Sequence, residues 1–190
     1  VQVQEKSTGE ISLGAGYSST GGGQADISIR ERNFVGTGQD LRLAMRIAQR
    51  EQALDFSYTE PYFLDKNLAA GLDLEKKEND LQSESSYDRN SLGMALRIGY
   101  PLANHWSQRW KYTLREDKVT NISSSASQVI REQEGEFITS SVGQRLIYDT
   151  RDNKISPKQG WVVSYSNEIS GIGGNTDFVQ NRLKGAVYYP

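Results

Sequence analysis

Apolar residues recur at every second position along most of this 190-residue chain. Over Gly9–Ser18 one set reads Ile11, Leu13, Ala15, Tyr17, and the other reads Glu10, Ser12, Gly14, Gly16, Ser18. Gln24–Arg32 sets Ala25, Ile27 and Ile29 against Gln24, Asp26, Ser28 and Arg30. The segment 39–50 sets Leu41, Leu43, Met45 and Ile47 against Arg42, Ala44, Arg46, Ala48 and Arg50. A helix would smear both sets around its axis, whereas a strand sends successive side chains to opposite faces and keeps them apart. The alternation returns at 54–59, 68–75, 92–100 and 106–115, and more weakly near 137–149, 160–169 and 177–189. It predicts about ten strands of roughly 9–13 residues in an antiparallel meander. No convincing helix appears.

The connections fall into two classes. Those near 33–38, 60–66, 101–105 and 150–159 are compact and carry Pro61, Pro101 and Pro157, while those near 77–87 and 118–136 are longer and rich in Ser, Asn, Gln, Asp and Glu. Aromatic residues flank the first class: Phe34, then Tyr58, Tyr62 and Phe63, then Tyr100 and Trp106, then Tyr148 and Trp161. Every second turn of a meander lies at the same end. One end is therefore expected to carry compact turns and an aromatic girdle, and the other polar loops, as in outer-membrane barrels. The polar set mixes signs, from Glu10, Asp26 and Asp73 to Arg97, Arg109, Lys111 and Arg145, and would line a hydrated lumen. Alternation by itself suits the solvent face of a soluble β-sandwich or solenoid equally well; the girdle and the loop classes favour the membrane barrel.

Composition agrees with this picture and removes several alternatives. Mean hydropathy is −0.65 and apolar residues make up 36 %. No run of eighteen apolar residues exists, which excludes a transmembrane helix but not a barrel, whose strands need only alternate apolar residues. The opening stretch, Val1 to Gly9, does not read as a signal peptide. A net charge of −2 provides no field for nucleic acid. The absence of cysteine excludes disulfides and thiolate chemistry, and one histidine leaves little room for a metal site. Ser140, Ser141, Asp149 and Asp152 are candidate nucleophiles and carboxylates, but acid–base chemistry of that kind wants a histidine. Only His105 is available, beside Trp106, where it reads as an interfacial anchor. The Gly21-Gly22-Gly23 and Gly171-Ile172-Gly173-Gly174 runs lie between strands and are loops rather than phosphate cradles. Neither metal nor cofactor is expected.

Several motifs occur in order along the chain: Gly14-Ala15-Gly16-Tyr17-Ser18, Glu31-Arg32-Asn33-Phe34-Val35-Gly36-Thr37-Gly38, Thr59-Glu60-Pro61-Tyr62-Phe63, and Tyr148-Asp149-Thr150-Arg151-Asp152-Asn153 with Pro157 and Gly160. Each has a plain physical reading. Gly36 and Gly38 supply turn conformations closed to other residues, Pro61 ends ladder bonding, Tyr62 and Phe63 suit the headgroup level, and Asp149, Arg151 and Asp152 can pair within a charged hairpin. Together they resemble the barrel domain of the BamA family of outer-membrane assembly factors, which is related to TamA and the two-partner secretion pores. Residues 1–9 are similar to the end of the last POTRA domain and its linker, and 10–190 to the N-terminal part of the barrel.

The resemblance implies an all-β, antiparallel up-and-down transmembrane β-barrel, present as an incomplete barrel of about ten of the family's sixteen strands. The later plug loop with its Val-Arg-Gly motif, the closing strand and the other POTRA domains lie outside this sequence, so it is expected to be a fragment. Also implied is a role in folding and inserting other barrels into the outer membrane of a Gram-negative bacterium, without ATP or cofactor. The first strand, Glu10, Ile11, Ser12, Leu13, Gly14, Ala15, Gly16 and Tyr17, would form a lateral gate to which client strands add, beside a thinned bilayer. Gly9, Gly14 and Gly16 fit a loosely held strand, or equally relieve crowding in a barrel wall. The implied partners are unfolded outer-membrane β-barrel clients, lipoproteins of the assembly complex (bound mainly through POTRA domains) and outer-membrane lipids. The alternative is a transport pore, either a two-partner secretion translocator or a porin; conductance separates the two, because a porin stays open.

Overall fold

Residues that alternate so regularly have one face that rejects water and one that needs it, and the backbone pairs strand to strand to satisfy its own polar groups. The computed structural model describes residues 8–18, 22–124 and 126–190, with Glu84 by its backbone alone. It contains strands β1 (Gly9–Ser18), β2 (Gly22–Phe34), β3 (Gln39–Ala48), β4 (Glu51–Glu60), β5 (Ala69–Asp80), β6 (Asp88–Ala103), β7 (Trp106–Thr120), β8 (Gly135–Asp149), β9 (Gly160–Ser170) and β10 (Phe178–Tyr188). They form one open ten-stranded sheet in sequence order. All nine neighbouring pairs are antiparallel. The up-and-down meander read from the sequence is the observed topology.

The wall is inside-out relative to a water-soluble protein. Among the described residues the only buried hydrophobic side chains are Ala95 and Ala126, while Asp117, Ser140, Ser141, Ser164 and Ser170 are buried. The large apolar residues stand on the convex side: Ile11, Ile29, Leu43, Leu54, Leu74, Leu96, Tyr165 and Leu183 are all exposed. No second layer seals them, which removes the β-sandwich alternative. Their burial must come from lipid, at about 1.5–3 kcal/mol for each large side chain fully removed from water. Among the described residues no helix is long and apolar enough to cross a membrane, and the spanning elements are strands.

Register shows which side chains share the interior. Glu10 lies opposite Arg30, and Gly14 opposite Asp26. Asp26 lies opposite Arg46, Ser57 opposite Asp73, and Gly71 opposite Arg97. Arg97 forms the densest network: its Nε donates to Asp73 Oδ2 at 2.6 Å and its Nη2 to Asp73 Oδ1 at 2.8 Å, Ser57 Oγ at 3.2 Å and Thr59 Oγ1 at 3.1 Å. A second knot lies toward the long-loop end, where Asp117 accepts from Arg89, Arg115 and Ser91.

Several expectations need correction. Pro101 is not in a turn; it lies within β6 opposite Ser107, at a register shift between Pro101 and Ala103. The bulge accommodates a residue that cannot donate to the ladder. Strands β6, β7 and β8 run 16, 15 and 15 residues, longer than expected. The 118–136 connection shrinks to 121–134, because Lys118 is anchored by Glu116 and reaches Glu136 at 3.5 Å across the ladder. One-turn helices do occur in connections: α1 (Gln82–Ser85), α2 (Gln128–Arg131) and a 3₁₀ turn at Phe63–Asp65. They are too short for any periodicity to show. Loop length also sorts less cleanly than expected, since only residues 49–50 join β3 to β4 at the long-loop end.

The connection from β9 to β10 has its own task. Strand β8 projects beyond the end of β9, and Asn175 covers the projecting edge. Its backbone N–H donates to the Ile138 carbonyl at 2.9 Å, its Oδ1 accepts from the Ile138 N–H at 2.6 Å, and its Nδ2 donates to the Glu136 carbonyl at 2.8 Å. Contact is so close that a Cβ on Gly174 would lie 2.2 Å from the Ile138 carbonyl oxygen.

Candidate functional site: the first strand and the compact-turn rim

Each sequence-predicted turn motif folds into a specific local structure, and all three lie at one end. At 33–38 the chain takes positive φ at Val35, Gly36 and Gly38. Asn33 Oδ1 accepts from the Gly38 N–H at 2.7 Å, the Gly36 N–H donates to the Asn33 carbonyl, and the Glu31 carboxylate accepts from the Asn33 N–H. Glu60 ties the next turn to this one: it accepts from the Gln39 side chain at 2.6 Å and from the Tyr62 N–H at 3.1 Å. Pro61 packs where a Cβ on Gly38 would be, 4.0 Å away. Phe34, Tyr62 and Phe63 are exposed beside these turns, as a girdle requires.

On the same rim Trp106, Tyr148 and Trp161 pack as tilted rings across β7, β8 and β9, with centroids 4.8 Å apart at each step. His105 joins this cluster edge-on to Tyr148, its Nδ1 3.1 Å from the Asp149 carbonyl oxygen. Ser141 lies eight residues along β8 from Asp149, roughly 26 Å at the rise of a strand. Its hydroxyl donates to Glu168, and Ser140 meets the Tyr112 hydroxyl. The candidate nucleophiles, at the middle of β8, are thus far from the histidine at its rim.

The charged hairpin after β8 divides its labour. Arg151 grips Asp149 with two parallel bonds, 2.9 and 2.8 Å, as expected. Asp152 pairs with no arginine; its Oδ1 accepts from the backbone N–H groups of Lys158, Gln159 and Asn153 at 3.0, 3.2 and 2.9 Å. Those amides, Lys158 first, hold the Asp152 carboxyl below the usual aspartate range, because they bond the charged form. A depressed folded-state pKa contributes stability that is present above the unfolded value, about 3.9, and is lost as pH falls through the folded value. The Lys158 and Gln159 amides should therefore keep their hydrogen-exchange protection from neutral pH down to about pH 4 and lose it below. Asp152→Ala should remove the protection at every pH.

Strand β1 is the least secured element. Every residue but Ser18 is exposed, and the edge away from β2 has no partner among the described residues. Its outward face presents Ile11, Leu13, Ala15 and Tyr17; its inward face presents Glu10, Ser12, Gly14 and Gly16. Glu10 is held by Arg32 at 3.0 Å. The glycines separate the two readings of this strand. A Cβ on Gly14 would meet Asp26 at 3.6 Å, ordinary contact, and one on Gly16 would meet the mobile end of Gln24 at 3.1 Å. Crowding does operate elsewhere: a Cβ on Gly71 would lie 2.8 Å from Arg97 and 3.0 Å from the Tyr58 carbonyl oxygen. Gly14 is not needed for space.

A family model described as the Omp85 superfamily domain matches residues 33–190. The chain belongs to the Omp85 superfamily. The match begins at Asn33 in the first compact turn and takes in the three turn motifs except the residues leading into the first; the Gly14–Ser18 motif of β1 lies before it. Among Omp85 relatives, the outer membrane protein assembly factor BamA of Nitratidesulfovibrio vulgaris is 29 % identical, over all of this chain and 24 % of its own length. The protein of the same name from Neorickettsia risticii is 26 % identical, over 97 % of this chain and 25 % of its own. The human sorting and assembly machinery component 50 homolog is 22 % identical over 83 % of this chain and 34 % of its own length. The chain thus spans about a quarter of the BamA relatives it matches. The crystal structure of BamA from Haemophilus ducreyi lacking POTRA domains 1–3 superposes with a TM-score of 0.73 at 21 % identity, covering 96 % of this chain and 37 % of that one. Omp85 membership and the outward apolar face together make this the wall of an outer-membrane β-barrel.

Of the interior residues, Asp73 and Arg97 read as lumen-lining from the sequence, whereas Asp117 and the pairings are missed. Asp117 and the Arg97 network bring together residues from neighbouring strands, and only the register shows them as partners.

Proposed function

We propose that this chain is the N-terminal part of the barrel of an outer-membrane protein assembly factor, which folds and inserts β-barrel clients by strand addition at β1. Residues 1–9 would then be the end of a preceding POTRA domain and its linker; positions 1–7 lie outside the described residues. The observation that carries the reading is the inward face of β1, where a Cβ on Gly14 would make only ordinary contact with Asp26, at 3.6 Å. Packing therefore does not account for the glycine, and a strand made weak by glycine is suited to exchange partners. The names of the BamA relatives support the same role.

In this mechanism a client strand adds to the β1 edge through main-chain hydrogen bonds, which read no side-chain identity and so admit many clients. The outward apolar stretch Ile11–Tyr17 is about 20 Å long and, at a typical tilt of about 40°, about 15 Å high, against a usual apolar band of about 25 Å. A bilayer matched to that height is thinned beside β1, where insertion then needs less lipid displacement. The partners are unfolded barrel clients and outer-membrane lipids at β1, with lipoproteins bound through the preceding domains. The role is structural and non-catalytic.

The test is a disulfide between β1 and the closing strand of the intact barrel. Locking the two together should abolish assembly of a client barrel into vesicles, and reduction should restore it. Assembly at the full rate with the lock closed would eliminate strand addition at β1.

A further inference from the structure

Most interior arginines meet carboxylates: Arg46 with Asp26 at 2.7 Å, Arg97 with Asp73 at 2.6 Å, and Arg89 and Arg115 with Asp117 at 3.0 and 2.8 Å. Arg30 stands opposite Arg42, but its Nε donates to Asp40 at 3.0 Å. In the compact-turn half of β7 to β10 the strand cations have no such partner among the described residues. Arg109 stands directly opposite Arg145, Arg145 opposite Ser166, and Ser166 opposite Arg182, so one cross-strand row holds three arginines and no carboxylate. The row on one side places Lys111 opposite Gly143, Gly143 opposite Glu168 and Glu168 opposite Gln180; the row on the other places Ile147 opposite Ser164 and Ser164 opposite Lys184. Arg109, Lys111, Arg145, Arg182 and Lys184 share the surface with two acids, Glu168, whose carboxylate accepts from Ser141, and at the rim Asp149, which Arg151 already holds. None of the five forms an ion pair with a described residue; Arg145 has only the Ser164 hydroxyl, at 3.3 Å.

Like charges directly opposite one another in a sheet repel, and this costs stability unless an anion lies between them. The surface is also shaped to hold one. Arg109, Lys111, Arg145 and Arg182 line a trough of about 790 Å³ in which Gly99 and Gly143 replace side chains, so that the cations stand around a low centre, and Lys184 lines the concavity beside it. A second concavity of about 730 Å³ shares Arg109, Arg145 and Lys154 with it and reaches His105 and Asp149 at the compact-turn rim, where Ile147, Val162 and Ala186 add apolar surface.

We infer that this cationic trough binds an acidic, extended segment of another polypeptide that enters the lumen from the compact-turn rim. Four strands span about 14 Å at the usual spacing, too far for one small anion to reach all five cations. A chain with carboxylates on alternate residues presents them about 7 Å apart on one side. That spacing supplies a carboxylate to each of several arginines, which bind the group bidentately. The apolar patch at the rim suits a chain bearing side chains rather than an inorganic polyanion. Lipid phosphates contact the opposite face of the wall. The inference goes beyond strand addition, since it concerns the lumen and not the edge of β1.

The experiment uses the intact protein in phosphatidylcholine vesicles and a fluorescent ten-residue peptide of alternating Glu and Ser. Saturable binding that weakens with salt is expected, with Kd raised at least tenfold in the Arg145→Gln, Arg182→Gln double variant and unchanged in Arg46→Gln. Bound peptide should also protect Lys111 and Lys184 of the unsubstituted protein from acylation, a readout independent of how the variants fold. Four results would each overturn the inference: no binding to the intact protein, no protection of those lysines, equal weakening by Arg46→Gln, or an affinity for tripolyphosphate equal to that for the peptide. The last would make the trough a small-anion site. Because client assembly is not measured, failure here leaves the β1 reading untouched, and the lock experiment leaves this one untouched.

Discussion

Gly160→Ala is expected to destabilise the barrel by about 3 kcal/mol, combining backbone strain with displacement of close-packed atoms. Gly160 opens β9 at φ +102°, a conformation that L side chains rarely adopt, and a Cβ there would lie 2.4 Å from the Thr150 carbonyl oxygen and 2.9 Å from the Arg151 Cα. Both contacts are backbone and cannot swing aside. The same segment is clamped: the Thr150 N–H donates to the Trp161 carbonyl at 2.9 Å, and the Trp161 N–H donates to the Thr150 hydroxyl at 3.1 Å. Relief would require breaking that clamp. Gly36→Ala is the control, because Gly36 also has positive φ, +76°, but no atom within 4 Å of an added Cβ. It should cost about 1 kcal/mol, the strain alone. Guanidinium unfolding of the intact barrel in vesicles, followed by tryptophan fluorescence, measures both. Equal losses in the two variants would mean that the clash at Thr150 is relieved without cost.

Asp117→Asn should cost about 2 kcal/mol in the same assay. Asp117 is buried, and its two oxygens collect Arg89 Nη2 at 3.0 Å, Ser91 Oγ at 2.6 Å and Arg115 Nε at 2.8 Å. The amide has nearly the same shape, but its nitrogen cannot accept from Arg115, and both guanidinium groups lose their counter-charge. Removing one partner of a fully buried pair costs about 3–5 kcal/mol. The figure here is reduced because the two arginine side chains are 43 % and 41 % exposed and recover part of their hydration. Asp26→Asn is the comparison: its partner Arg46 is half exposed, and its loss should stay below about 1 kcal/mol. If the two asparagine variants unfold together, burial of Asp117 contributes nothing.

The strands were legible because one rule governs both faces of a barrel wall. Ile11, Leu13 and Tyr17 announce the lipid side as clearly as Glu10, Ser12 and Gly14 announce the lumen. Turn motifs were legible for a different reason: Gly36, Gly38 and Asn33 occupy positions where few other residues satisfy the backbone. What escaped has physical causes as well. Residues 118–120, Lys-Val-Thr, read as the start of a polar loop, yet they extend β7 past the apolar band, where the cross-strand pair of Lys118 with Glu136 holds a strand without grease. Pro101 read as a turn because a ladder normally excludes it, and only the bulge beside it shows that no donor is missed. The arginine row of Arg109, Arg145 and Arg182 could not be seen from parity. Alternation gives the face of each residue, but only hydrogen-bond register places residues 36 or 37 positions apart side by side.

Asn175 gives the wall a property that its strands lack. The stagger of β8 against β9 leaves unsatisfied main-chain groups on Ile138 and Glu136, and one amide side chain with its own backbone occupies them. Under the strand-addition reading proposed above, such a protein has to silence every stray adhesive margin except the chosen one, or cargo would nucleate at the wrong place. By mimicking a missing neighbour, this short connector covers that margin of β8, and on that reading recruitment would be left to the seam.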